Sequence, residues 1–287
     1  MKLHPLTLFD PFKITVWGGV CFFLLTGCGC GPSNQKISGT LTVDFSKPLV
    51  AKSGKRFGDN RWLTFELYRQ GTFLIDGKSG VAWQRSESYR DSAIIRSAVP
   101  LPRTYKVSAV VGEVDYELEA AEEVEPDPDY TEGPGGENGC YLLAITDVLP
   151  AGHHTNDWWH KHRKMVIDVD NNVWGSGMPH PIFMVYFDGK NELVSWDGEK
   201  DAWQRAWKKA VEYDKRAWYR VEVERTQTHY VLSVYDEAGA VLKQGRVALA
   251  DVWHAGPDYP DYLVIGDPHE NYYQGSMKIK SIRLWTP

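Results

Sequence analysis

The feature that most constrains this chain lies near its C-terminal end. Residues 218–225 (WYRVEVER), 229–235 (HYVLSVY), 241–247 (VLKQGRV), 262–265 (YLVI) and 276–285 (SMKIKSIRLW) are short runs in which apolar and polar side chains alternate. Period two is the mark of a strand with one face buried and the other wet. Turn-forming stretches at 226–228, 237–239 and 269–275 separate these runs. Many strands at short, regular spacing with little helix predict an all-β, antiparallel sandwich or jelly roll.

The upstream chain supplies further strands. Residues 37–45 (ISGTLTVDF) read as an opening strand. Residues 62–68 and 72–75 flank Gln70-Gly71 and read as a hairpin. Residues 92–99 form a short strand closed by Pro100 and Pro102. Residues 105–120 read as one long strand, with Val110, Gly112, Val114, Tyr116 and Leu118 on one face and Glu113, Asp115, Glu117 and Glu119 on the other. Residues 122–138 are an acidic, Pro/Gly-rich loop. Strands follow at 141–146, 164–169 and 182–187. One short helix is expected at 199–214, where Ala202, Trp203, Ala206, Trp207, Ala210 and Val211 repeat at helical spacing. The competing reading of that segment is an irregular Trp-rich loop.

The first residues belong to targeting, not to the fold. Lys2 and Lys13 precede an apolar run of about a dozen residues, the length of a signal-peptide core. The run ends in Leu25-Thr26-Gly27-Cys28, which resembles the bacterial lipobox. That resemblance implies a signal peptide over 1–27, lipidation of Cys28, a flexible tether over 28–36 and a folded domain over 37–287. It also implies attachment to a membrane through the lipid. Gly29 in place of Asp after the cysteine implies the outer membrane in a Gram-negative host, or otherwise the cell surface. Cys30 then either carries a second acyl chain or pairs with Cys140. Cys140 sits in the apolar run GCYLLAI and reads as a small buried hydrophobe.

Composition narrows the partners. The net charge is −6 and no Lys/Arg block occurs, so nucleic acid is not an expected partner. The chain has 12 Trp, more than a core requires, and some are expected to stack on a ligand or line a groove.

Residues 152–163 (GHHTNDWWHKHR) concentrate reactive side chains in a long connection between strands. In a sugar-binding rim, Trp158 and Trp159 offer stacking faces while Asn156, Asp157 and the histidines bond hydroxyls. In a catalytic groove, His160 is a base and Arg163 neutralises a uronate carboxylate. As a metal site, His153 with Asp157, or His160 with His162, supplies ligands of a kind Zn²⁺ takes. The plain alternative is a loop whose aromatics plug the sandwich edge. The loop at 170–181 carries Trp174 and His180 and is the expected companion of this rim.

Residues 218–242, an aromatic-led strand, a short turn and a strand ending in an Asp-x-x-Gly hairpin, resemble the concanavalin A-like lectin/glucanase superfamily, as does the closing run 275–285. The resemblance implies a concanavalin A-like sandwich that binds or cleaves a carbohydrate. Glu113-Val114-Asp115-Tyr116-Glu117 further resembles the E-x-D-x-E signature of family-16 glycoside hydrolases. There the first Glu is the nucleophile, the Asp assists and the second Glu is the acid/base. Retention needs carboxyls about 5–5.5 Å apart, whereas strand positions i and i+4 lie about 13 Å apart. The alternative is a solvated or Ca²⁺-attracting acidic face, and Ca²⁺ is the one cofactor left open. Three functions stand: carbohydrate binding, glycan cleavage by a hydrolase or lyase, and a protein-interaction module of the envelope.

Overall fold

Period-two patterning becomes two stacked antiparallel sheets. The computed structural model describes residues 38–86, 91–114, 140–152, 154, 156–170, 182–189, 192–195, 211–214, 216–268 and 275–287. The strands are β1 (Gly39–Val43), β2 (Arg56–Phe57), β3 (Leu63–Tyr68), β4 (Thr72–Leu74), β5 (Ala82–Ser86) and β6 (Ser92–Ser97). Next come β7 (Tyr105–Gly112), β8 (Tyr141–Thr146), helix α1 (Asn156–His162), β9 (Arg163–Asp170), β10 (Ile182–Gly189) and β11 (Glu192–Ser195). The series ends with β12 (Val211–Glu212), β13 (Trp218–Arg225), β14 (His229–Tyr235), β15 (Val241–Ala248), β16 (Tyr262–Asp267) and β17 (Gly275–Thr286).

The first sheet runs β15-β14-β13-β7-β17-β5-β4, with β1 also on β17. The second runs β11-β10-β9-β8-β16-β6-β3-β2, with β12 also on β10. On β7, Tyr105, Val107, Ala109 and Val111 are buried, and the register sets Val223 and Leu284 beside Val107. These face Leu143, Ile145, Met165, Ile167, Leu263 and Ile265 of the second sheet in one continuous core. Each fully buried aliphatic contributes about 1.5–3 kcal/mol. The five C-terminal strands stand where their alternation places them.

A polar staple ties the sheets together inside this core. Asp261, just before β16, is shut from solvent. It pairs with Lys164 of β9 at 2.6 Å and with Arg225 of β13 at 2.7 Å. The hydroxyls of Tyr105 and Tyr230 each donate to its carboxylate at 2.8 Å. Lys164 also donates to the Pro260 carbonyl at 2.7 Å and Arg225 to that of Ala255 at 2.9 Å. Every charge here has a partner, the condition under which a buried ion cluster is tolerated. Burial, then the Asp261 charge, pushes both tyrosines well above their ordinary pKa. Burial pulls Lys164 down, against the pull of Asp261.

Three expectations are corrected. The hairpin at 62–75 is not one: β3 pairs with β2 and β6 in the second sheet, while β4 pairs with β5 in the first. The turn redirects the chain between layers, with Arg69 at φ 53° and Gly71 against Ser92, where a Cβ would lie 2.1 Å from the carbonyl oxygen. The strand expected over 105–120 stops at Gly112, because Glu113 adopts φ 43°, outside strand geometry. The inward face of β7 is therefore the odd-numbered set, Val110 faces outward, and Val114 is buried only after the kink. The 152–163 connection contains helix α1. The helix expected at 199–214 lies mostly outside the described residues, and at its end Val211–Glu212 is a strand on β10.

Candidate functional site

Helix α1 docks on the outer face of the second sheet. Trp159 is 1% exposed and packs against Ile94, Tyr141, Ala144, Val166 and Val264. Its ring meets Tyr141 edge-on at 6.1 Å. Arg163 is buried and donates to the Tyr141 hydroxyl at 2.6 Å. The expectation that Trp159 and Arg163 face a ligand is therefore corrected: both are sequestered, because the small residues of this sheet face leave room for an indole. Trp158 is half-buried with its faces occupied. His154 stacks on it at 3.7 Å, and His162, one helical turn on, lies at 4.7 Å. Asp157 and His160 fall within α1, but their side chains lie outside the described residues, as do His153, Trp174 and His180.

Behind the helix lies a group that sequence reasoning missed. Asp147, buried just after β8, bonds His162 Nδ1 at 3.0 Å through one carboxylate oxygen and His254 Nδ1 through the other. Its N–H donates to the His162 carbonyl at 2.9 Å. His254 stacks at 4.4 Å on Tyr259, which is 43% exposed. The node fixes two imidazoles through a shared anion and locks α1 to the 249–260 loop. Nothing in the sequence pairs Asp147 with His254 across more than a hundred residues. Among the described residues, no group of three or more His, Cys, Asp or Glu is arranged to hold a metal ion. Asp115, Glu117 and the acidic loop, where a Ca²⁺ face was expected, lie outside the described residues.

The outer face of the first sheet is built differently. One cross-strand row reads Trp83 on β5, Lys278 on β17, Gly112 on β7 and Trp218 on β13. At about 4.8 Å per strand the two indoles stand about 14 Å apart at their backbones. Gly112 is required here: a Cβ would lie 2.7 Å from Cδ2 of Trp218, so the ring lies across the glycine. Lys280 sits 3.7 Å above the Trp218 ring and Arg85 4.6 Å above that of Trp83. Glu113 pairs with Lys278 between the tryptophans. The kink that spoils the long strand places it there. The N–H of Val114, bonded to the Tyr213 hydroxyl at 3.1 Å, holds the kink.

Around this row lies a cleft of about 790 Å³, lined by Trp83, Trp218, Lys278, Glu113 and the 49–51 and 72–76 segments. Its lip carries Val50, 74% exposed, and Leu74, 49% exposed. Exposed aliphatics grouped with aromatics mark a contact surface. Asp76 lines it too, its carboxyl held below the usual range by hydrogen bonds from the hydroxyl and N–H of Ser79. Neither Trp158 nor His162 lines this cleft, so Glu113 and the His/Trp stretch are not one site. Cys140 is a buried thiol that donates to Gln84 Oε1 at 3.2 Å, and burial pushes it well up. Cys28 and Cys30 lie outside the described residues.

No protein-family model matches the chain, and no curated protein matches it. Solved structures similar to it include the basic winged bean lectin with Tn-antigen, 8% identical over 85% of this chain and 96% of that one, with a TM-score of 0.49. A family-16 glycosyl hydrolase from Mycobacterium smegmatis is 12% identical over 86% of this chain and all of that one, at 0.43. The exoplasmic/lumenal domain of VIP36 in its Ca²⁺-bound form is 11% identical over 87% and 90%, at 0.47. These are likenesses of fold; the site is argued from this chain's own residues.

Proposed function

We propose that the protein is a carbohydrate-binding lipoprotein of the cell envelope, anchored through Cys28, that takes a glycan in the Trp83/Trp218 cleft. One observation carries the reading: two indoles on a single cross-strand row flank a charged pair, with exposed aliphatics at the lip. Sugar rings offer an apolar C–H face to an indole and hydroxyls to polar groups such as Asp76, Glu113 and Lys278. Rigid strands hold the aromatics, so little ordering is needed on binding.

Glycan hydrolysis is the second reading, favoured by the presence of Glu113 in the cleft. Two features oppose it. Lys278 holds the Glu113 carboxylate, and Glu113 itself lies outside strand geometry. The test is titration of the full chain, in neutral detergent, against a panel of neutral polysaccharides. Trp218→Ala is expected to weaken binding at least ~tenfold, a change of about 1.4 kcal/mol. Reducing-end release that is lost in Glu113→Gln would establish the hydrolase instead. Binding to no glycan, with a protein partner recovered, would sink both.

A further inference from the structure

The chain has no basic run, yet the fold assembles a basic face. On β5, β17, β7 and β13 the register turns Arg85, Lys278, Lys280, Arg283, Lys106 and Arg220 outward. Against these six cations stand four carboxylates among the described residues of the same face: Glu113, Glu222, Glu224 and, in the cleft, Asp76. Glu222 is buried between Lys106 at 2.7 Å and Arg220 at 2.9 Å. The surplus is positive, on a chain whose net charge is −6. Aromatic rings alternate with these cations. Lys280 lies over Trp218, Arg220 at 3.8 Å over Tyr235, and Lys106 at 5.9 Å over Trp285. An irregularity in β17 between Ile279 and Ser281 supplies Lys280 as an extra residue, so the strand presents two lysines close together.

We propose that this face binds an acidic, uronate-bearing polysaccharide, with one sugar seated in the cleft and its carboxylates running along the cationic rows. The proposal rests on the glycan reading of the cleft and names the class of glycan. A uronate sugar combines an apolar ring face with a carboxylate, and each aromatic–cation pair here offers a surface for both. The cleft holds Asp76 and Glu113 against Lys278, so a neutral unit fits there better than a phosphate. A concave cleft flanked by flat rows fits a chain rather than a membrane surface. Clustered charge on one face also raises local ligand concentration, an effect that salt screens.

The test uses the full chain in neutral detergent over immobilised polygalacturonate, its methyl ester and single-stranded DNA, and over phosphatidylglycerol nanodiscs. Polygalacturonate is expected to bind at least ~tenfold tighter than the ester at low salt, with the gap closing as salt rises. Arg283→Ala is expected to narrow that gap while leaving melting temperature and neutral-glycan affinity unchanged. Arg283 is exposed and lies over neither cleft tryptophan, so neither the fold nor the cleft has reason to suffer. Neutral polysaccharide bound through Trp218 with no preference for the acid polymer overturns this inference and leaves the glycan reading standing. Equal binding of DNA or anionic nanodiscs through Arg283 also overturns it. Absence of binding to every polysaccharide removes both readings.

Discussion

On the outer face of the second sheet, Trp159 is shut from solvent over Ile94, Ala144, Val166 and Val264. On the outer face of the first, Trp83 and Trp218 are half-buried, each beneath a cation. The difference comes from what surrounds each indole. Small and branched residues on the second sheet make a seat that a seven-residue helix closes. Long cationic side chains on the first sheet lie over its aromatics and no helix closes them in. Dense aromatics in a sequence therefore do not all face a ligand: in the richest stretch here, Trp159 and Arg163 are shut from solvent.

The largest test of this contrast is Trp159→Ala. It empties a closed seat and is expected to cost about 3–5 kcal/mol of stability by denaturant unfolding. A loss below about 1 kcal/mol would mean that α1 merely rests on the sheet. Gly112→Ala probes the other face. A Cβ there meets the Trp218 ring and the Ala217 carbonyl, so the cost is about 1–3 kcal/mol. Glycan affinity should fall with it, since the ring must move. Unchanged affinity would detach Trp218 from the site.

A smaller and gradual effect comes from the staple that both faces share. The folded pKa values of Tyr105 and Tyr230 are raised, so the unfolded chain releases those protons first. Their contribution is full below about pH 10 and is lost as pH rises beyond it. Lys164 acts in the opposite sense: its folded pKa is lowered, so burying it becomes easier as pH rises toward its ordinary value. Two tyrosines outweigh one lysine, and the denaturation midpoint is expected to fall as pH rises above about 10. Tyr105→Phe with Tyr230→Phe should flatten that fall.

The sheet architecture was legible because alternation reports burial directly, as residues 218–235 and 276–285 illustrate. The 62–75 segment misled because a Gln-Gly turn looks the same whether it joins strands within a layer or passes between layers. The strand expected over 105–120 misled because period two continues on paper through Glu113, which turns left-handed in space. Trp83, Lys278 and Trp218 are scattered across nearly two hundred residues, and only strand pairing sets them in one row. Asp147 and His254 were invisible for the same reason. The basic face was hidden because its cations are spread over four strands distant in sequence.

The central claim is that the cleft tryptophans, not the helix-borne ones, meet the glycan. Hydroxyl-radical footprinting of the full chain with and without bound polysaccharide tests it most directly. Protection is expected at Trp83 and Trp218, with Trp158 and Tyr259 unchanged. Protection at Trp158, Tyr259 and His162, with Trp83 and Trp218 still oxidised, would place the ligand on the other face and contradict the account.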